Sequence, residues 1–298
     1  MSDPLIPLVA AGLDRPVMPE AREMAAHLTE MHGDSVDAVL FYGSCLRDQT
    51  AEGVLDFYLL VNDYRAFHGG LAGAWANAVL PPTVRFVEID GVAAKVAVIS
   101  TAAFTRRMRP GALDTTLWAR FCQPSALVWA RDDGARAWVV DAVADALATA
   151  AGWGLALGPR GAKSGVLWEA LFRQTYRAEL RVERAGDRAR AIYERAADHF
   201  DAALEPALAR AERMQGWQWR DESWAQRAWA LRVLVGKPLN LVRVVKGAFT
   251  FDGAADYIAW KIERHSGRAL NLTEFQRRHP LIAAPRILWR LLRDRVVR

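Results

Sequence analysis

Cysteine is nearly absent: Cys45 and Cys122 are the only two in 298 residues. That excludes a disulfide framework and a cysteine-rich metal site, and it fits a reducing compartment. Lysine is almost as scarce. Of 39 basic residues five are lysines, Lys95, Lys163, Lys237, Lys246 and Lys261, which leaves 34 arginines. Arginine is a compositional habit here, so one arginine says little about an anion site, and a lysine says more. Long charge-free runs are missing too. A membrane-spanning helix needs about 20 predominantly apolar residues. The best candidate, 138–158, is interrupted by Asp141 and Asp145, so no spanning helix is expected. The opening MSDPLIPLVAAGLDRP has no basic segment and no long apolar core, so no signal peptide is expected. Neither an internal repeat nor a low-complexity tract is visible.

What is present suffices for a folded chain of two parts. Half of the residues, 52%, are hydrophobic, enough for a sizeable core, and the length favours two domains over one. A helix is expected over 19–32 and strands over 36–42 and 54–61, with helix again over 64–79. VRFVEI and VAAKVAVIS flank Asp90-Gly91, a hairpin signal. A last strand over 125–130 and a helix over 135–150 complete an α+β domain, a mixed sheet with helices, over 1–155. The glycine-rich stretch GWGLALGPRGAKSG marks the boundary. Beyond it helices are expected over 162–184, 187–214, 222–235, 237–247 and 253–265, a mainly helical domain over 156–280 that could take a winged-helix-like form. Trp217, Trp219, Trp224 and Trp229 crowd one segment and read as packing residues. The last segment, 281–298, alternates Arg286, Arg290, Arg293, Arg295 and Arg298 with apolar residues. It reads either as a basic amphipathic helix on an anionic membrane or as a terminal helix docked on the fold. Outside it basic residues are scattered among acids, so nucleic acid is not an expected partner.

The stretch FYGSCLRDQTAEGVLDFYLLV, 41–61, carries the chemistry. It reads as strand, Gly-Ser turn, polar loop and second strand. A glycine turn lets backbone N–H groups approach phosphates, and a serine hydroxyl can donate to a phosphate oxygen. That assigns Gly43 and Ser44 to a triphosphate. Carboxylates on the neighbouring strand bind hard Mg²⁺ through oxygen, which assigns Asp56. Residues two apart on a strand share a face, so residue 58 points the same way; it is Tyr58, a poor ligand because its phenol stays protonated. Lys95 lies on a strand expected to face this site and would neutralise phosphate charge.

Together these residues resemble the mitochondrial-type phosphatidate cytidylyltransferases, also described as translocator assembly and maintenance proteins. The matches run in order: Tyr42-Gly43-Ser44, Gln49, Asp56-Phe57, Val61 and Asp63, then Phe67-His68, 94–100 around Lys95, and Arg120 to Pro124. In the helical half they are Tyr176, Glu179 and Arg181, then Lys246-Gly247, Thr250, Tyr257 and Lys261. Two departures stand out. Val96-Ala97 replaces a Tyr-Gly pair, and GGLAGAWANAV lacks the asparagines and the His-Tyr pair of the family.

The resemblance implies a nucleotidyltransferase-like first domain and a reaction of CTP with phosphatidic acid to CDP-diacylglycerol and pyrophosphate. It implies a cytoplasmic protein, peripheral on the inner face of a membrane. Asp56 and Lys95 would be catalytic, Gly43, Ser44 and Gln49 would hold the nucleotide, and Asp56 with Asp63 or Glu88 would hold Mg²⁺. Alternatives are transfer to a small molecule or protein, or a catalytically degenerate nucleotide-binding protein. His68 reads as a structural histidine.

Overall fold

The computed structural model describes residues 3–179, 185–214, 222–250 and Thr273. Two short-range helices open the chain, α1 (Leu5–Leu13) and α2 (Pro19–His32), and a 3-10 turn leads into strand β1 (Val36–Tyr42). Then follow α3 (Ser44–Asp48), β2 (Val54–Val61), α4 (Tyr64–His68) and α5 (Leu71–Val79). The hairpin β3 (Thr83–Ile89) and β4 (Val92–Ser100) turns at Asp90 and Gly91, both at positive φ, 50° and 78°, as a tight hairpin requires. After it come α6 (Thr101–Arg107), α7 (Trp118–Phe121) and β5 (Ala126–Ala130). The remainder is helical: α8 (Asp133–Leu157), α9 (Ser164–Ala178), α10 (Ala185–Glu194), α11 (Ala197–Arg213) and α12 (Glu222–Thr250). The fold is α+β, a mixed five-stranded sheet followed by a helical half.

The strand order is β3-β4-β2-β1-β5. Only β2 and β4 are parallel; the other neighbours are antiparallel. Both faces of the sheet are covered. One, with Val39, Phe41, Phe57, Leu59 and Val98, packs on α2. The other, with Leu40, Tyr58, Leu60, Ala97 and Ile99, belongs to a core that continues without a break into Phe172, Phe200 and Trp229 of the helical half. Trp153 of α8 stacks on Trp224, with ring centroids 5.4 Å apart, and meets Trp229 edge-on; these tryptophans are packing residues.

Several boundaries differ from the expectation. The helix over 64–79 breaks into α4 and α5 at Gly69-Gly70. Much of the glycine-rich stretch is helix, since α8 runs through Gly152 and Gly154 to Leu157. This helix is long and apolar enough to cross a membrane, but 83% of its apolar window is buried within the fold. The two helices expected over 222–247 are one, α12, which continues through Pro238. The helix over 253–265, the basic segment 281–298, Trp217, Trp219, Arg181, Tyr257 and Lys261 lie outside the described residues.

An ion cluster ties α12 to the sheet side. Asp114 accepts from Arg107 at 2.5 Å and also from Arg243 and Thr116. Arg243 reaches Pro81 O as well, at 2.9 Å. Burial opposes the Asp114 charge, but Arg243, Thr116 and Arg107 outweigh it and hold the carboxyl down at about 2. Arg107 is itself lowered, because burial and the neighbouring Arg243 outweigh its share of one carboxylate. Asp114→Asn leaves two half-buried guanidiniums facing a neutral amide, and is expected to cost about 3 kcal/mol in urea unfolding followed by tryptophan fluorescence. The folded carboxyl titrates below its ordinary 3.8. Its contribution is therefore complete above that value and lost as pH falls toward 2. The variant should show a flatter loss of stability over that window.

Candidate active site

Strand register builds the site. Phe86, Lys95, Asp56 and Tyr42 lie side by side across β3, β4, β2 and β1, and directly paired residues share a face. Lys95 Nζ lies 3.8 Å from Asp56 Oδ1, with the two side chains 36% and 28% exposed, so a ligand can reach both. From the other side the Tyr42 hydroxyl hydrogen-bonds the same carboxylate. Burial first, opposed by Arg120 and reinforced by Asp56 and Tyr58, pushes the Tyr42 phenol well above its ordinary value. It stays protonated and donates to Asp56.

Tyr42 ends β1, and Gly43 turns the chain at φ 95° and ψ −163°, backbone that glycine adopts and L side chains rarely do. The turn presses directly on Asp56: a Cβ on residue 43 would lie 2.8 Å from Asp56 Oδ2. Ser44 follows, exposed, at the start of α3. Gln49 closes that helix in the left-handed conformation at φ 48°. Its Nε2 donates to Leu46 O at 2.6 Å and Pro16 O at 3.4 Å, so it orders the loop.

Tyr58 shares the face of Asp56, as the two-residue spacing requires, but it is core and not ligand. It is 2% exposed. Its hydroxyl accepts from Arg120 Nη1 at 2.8 Å. The Arg120 guanidinium lies 4.9 Å from the Tyr42 ring centroid and 5.6 Å from that of Tyr58, and Phe121 packs edge-on against Tyr58. Burial works against the Arg120 charge, and Tyr42, Tyr58, Glu179 and Asp56 outweigh it, holding the group above its ordinary value.

Two of the residues assigned to a metal stand apart from Asp56. Asp63 caps α4, accepting from Arg65 N at 2.8 Å. It lies past the far end of β2, and strand rise alone separates Asp56 from Val61 by roughly 17 Å. Glu88 is on the correct face, opposite Ala93. Two strand spacings and one two-residue step put its Cα roughly 12 Å from that of Asp56. Neither completes a donor set with Asp56, and among the described residues no group of three His, Cys, Asp or Glu side chains is arranged to hold a metal. His68 also stands apart, between Asn77 at 3.2 Å and Arg85 at 3.3 Å. Burial, then Arg85, Lys246 and His32, lower it to about 4, so it is a neutral structural residue. Lys246 bonds Leu80 O and Thr83 Oγ1, a packing role.

What the sequence did not reveal is beside Ser44. A cavity of about 770 Å³ opens there, lined by Arg15, Ser44, Arg47, Gln49, Arg188 and Arg195. A smaller pocket shares Arg47, Arg188 and Arg195 and adds Tyr176. Arg47 is three residues past Ser44, one helical turn, and that spacing was the available signal. The other arginines come from distant parts of an arginine-rich chain.

No protein-family model matches the chain, and no curated protein matches it. Among solved structures the chain is similar to a nucleotidyltransferase-like protein from Exiguobacterium sibiricum 255-15, at 10% identity over 92% of this chain and 91% of that one, with a TM-score of 0.29. A likeness that loose leaves the functional reading to the residues of the site.

Gly43→Ala tests the contact on which those residues depend. The added carbon meets a carboxylate oxygen, and the backbone conformation is strained for alanine, so a loss of about 2 kcal/mol is expected in chemical denaturation. In the double variant Gly43→Ala/Asp56→Ala the steric part is relieved, and the two losses should fall short of additive.

Proposed function

We propose that this chain transfers a nucleotidyl group from a nucleoside triphosphate to an acceptor oxygen. The observation behind this reading is the Asp56 carboxylate, held against the Gly43 turn with Lys95 alongside and Ser44 one residue further. In the reaction the acceptor oxygen, already anionic in a phosphate or giving its proton to water in a hydroxyl, attacks the α-phosphorus, the bond to the β-phosphate oxygen breaks, and pyrophosphate leaves with that electron pair. Ser44 donates to a phosphate oxygen. Lys95 offsets negative charge as it builds on the α-phosphate. Tyr42 orients Asp56 from the neighbouring strand.

One carboxylate does not make a resident metal centre. It fits a divalent cation that arrives on the triphosphate, because Mg²⁺ keeps several waters and takes one or two carboxylates besides phosphate oxygens. Such an ion would neutralise phosphate charge, with Asp56 as its protein ligand. Gln49 supports this site indirectly, by closing the loop.

Narrower still, the resemblance supports CTP as donor and phosphatidic acid as acceptor, giving CDP-diacylglycerol at the cytoplasmic face of a membrane, with the basic segment 281–298 as the peripheral contact. An acceptor that is already an anionic phosphate needs no strong general base, and His68, the histidine matched by the resemblance, is occupied structurally. Transfer to a small molecule or protein uses the same residues without lipid. Tyr58 in place of a second acid favours one further reading, a protein that binds nucleotide without turning it over.

Pyrophosphate release separates these readings. The full chain is incubated with Mg²⁺ and each of CTP, ATP and GTP, with phosphatidic acid in mixed micelles and with a lipid-free control. Release that needs CTP and lipid together supports the narrow reading. Release without lipid supports the wider one. Asp56→Asn should lower either by at least about a hundredfold, and undiminished release by that variant would sink the assignment. Binding without release would leave the non-catalytic reading.

A further inference from the structure

We propose that the arginine cleft beside Ser44 is a polyphosphate subsite, taking the β- and γ-phosphates of a bound nucleoside triphosphate or free pyrophosphate. Four guanidiniums line it, from Arg15, Arg47, Arg188 and Arg195, and among the described lining residues Asp48 is the one carboxylate. The source of the phosphates rests on the transfer reading. The anion chemistry of the cleft does not.

The arrangement is unlike a solvated helix face, whose charges fan outward from a single element. Here they converge from three places. Arg15 follows α1, Arg47 is on α3, and Arg188 and Arg195 are on and just after α10. The convergence is felt electrostatically. Partial burial, then Arg195 and Arg188, lower Arg47, with Asp48 and Asp56 offsetting part of that. Two of the four are braced through Nε: Arg15 donates to Gly12 O at 2.8 Å, and Arg188 lies 3.4 Å from the Tyr176 hydroxyl. Bracing at Nε fixes the plane of a guanidinium before a ligand arrives, which reduces the ordering cost of binding.

Cations that face one another in a half-enclosed cleft are stabilised by an anion of matching charge and geometry. Guanidiniums pair with phosphate oxygens in two-pronged fashion. A chain of two or three phosphates brings several negative charges at a spacing that one phosphate lacks. The cavity of about 770 Å³ is within the range of small-molecule sites. Tyr176, Ile192 and Pro124 line the smaller pocket, which shares Arg47, Arg188 and Arg195 with the cleft.

Isothermal titration calorimetry of the full chain with pyrophosphate, tripolyphosphate and orthophosphate, without divalent cations, tests this. Pyrophosphate and tripolyphosphate should bind at least about tenfold more tightly than orthophosphate. The double variant Arg188→Gln/Arg195→Gln should lose about tenfold per arginine. Arg190→Gln should bind as the wild type does, since Arg190 pairs with Glu194 on the same helix. Asp56→Asn should bind polyphosphate at least as tightly as wild type, because it removes a negative charge near Arg47. Should the double variant fail to fold by circular dichroism, Arg47→Gln makes the same test from α3. Equal binding of all three anions, or binding unaffected by the loss of these arginines, would overturn the subsite. So would tighter binding of an RNA homopolymer than of tripolyphosphate. A chain that binds pyrophosphate through the cleft yet releases none from any nucleotide would retain the subsite and lose the transfer reading.

Discussion

The carboxylate of Asp56 occupies space that a side chain on residue 43 would need, 2.8 Å from the position of the missing carbon. That contact links the last residue of one strand, the turn after it and the third residue of the next strand. It constrains register as well as residue type. A slip of one residue between β1 and β2 would swing Asp56 to the opposite face. There it would meet Phe41, Phe57 and Val96, which are buried in an apolar cluster under α2. An unpaired carboxylate in such a place is costly enough to exclude the slip. Because both faces of the sheet are apolar and covered, the pairing that places Lys95 beside Asp56 is the same pairing that buries the core.

Below Asp56 the structure departs from a two-carboxylate design. The position that shares its face is a phenol, and a partly buried arginine is bonded to that phenol. Arg120 is held by Tyr58 and stacked near Tyr42, so the floor of the site is positive where a second acid would make it negative. Two consequences follow. The residues near Asp56 gather little divalent cation by themselves. The surroundings of Asp56, with Lys95, Arg120 and Arg47, suit a ligand that brings more negative charge than one cation would cancel.

Much of this was legible in the chain. The strands β1 and β2 fall where apolar runs end at turn signals, and Asp90-Gly91 gives the hairpin because both residues accept positive φ. The row of Lys95 and Asp56 follows from strand periodicity once β2 and β4 are neighbours. Other features were misread for an identifiable reason. Gly154, inside the stretch that reads as a boundary, is a place of close approach: a Cβ there would meet Leu167 O at 3.1 Å, and one on Gly236 of α12 would likewise meet Ala178 O at 2.6 Å. Both sit inside helices that pack tightly on α9. Asp63 follows the strand of Asp56 and Glu88 is an acid expected on the next strand, while the sheet separates the first from Asp56 by strand length and the second by the intervening β4.

The arginine cleft was the least legible feature, because apolar packing and not local sequence brings its charges together. α10 and the start of α11 are placed by packing contacts within the helical half and with the segment after α7. Trp168 Nε1 donates to Phe200 O at 3.2 Å, and the two rings lie 4.8 Å apart. His199, next in line, donates from Nε2 to Cys122 O at 3.0 Å, fastening α11 to the segment after α7. Arg195 lies four residues before His199, in the short link between α10 and α11. Arg195 and Arg188 act unfavourably on the Arg47 charge, and the Trp168, Phe172 and Phe200 cluster belongs to the core on which their helices pack. A polyanion in the cleft would offset the unfavourable effect of Arg195 and Arg188 on Arg47, so the packing of the helical half and the chemistry beside Ser44 are coupled.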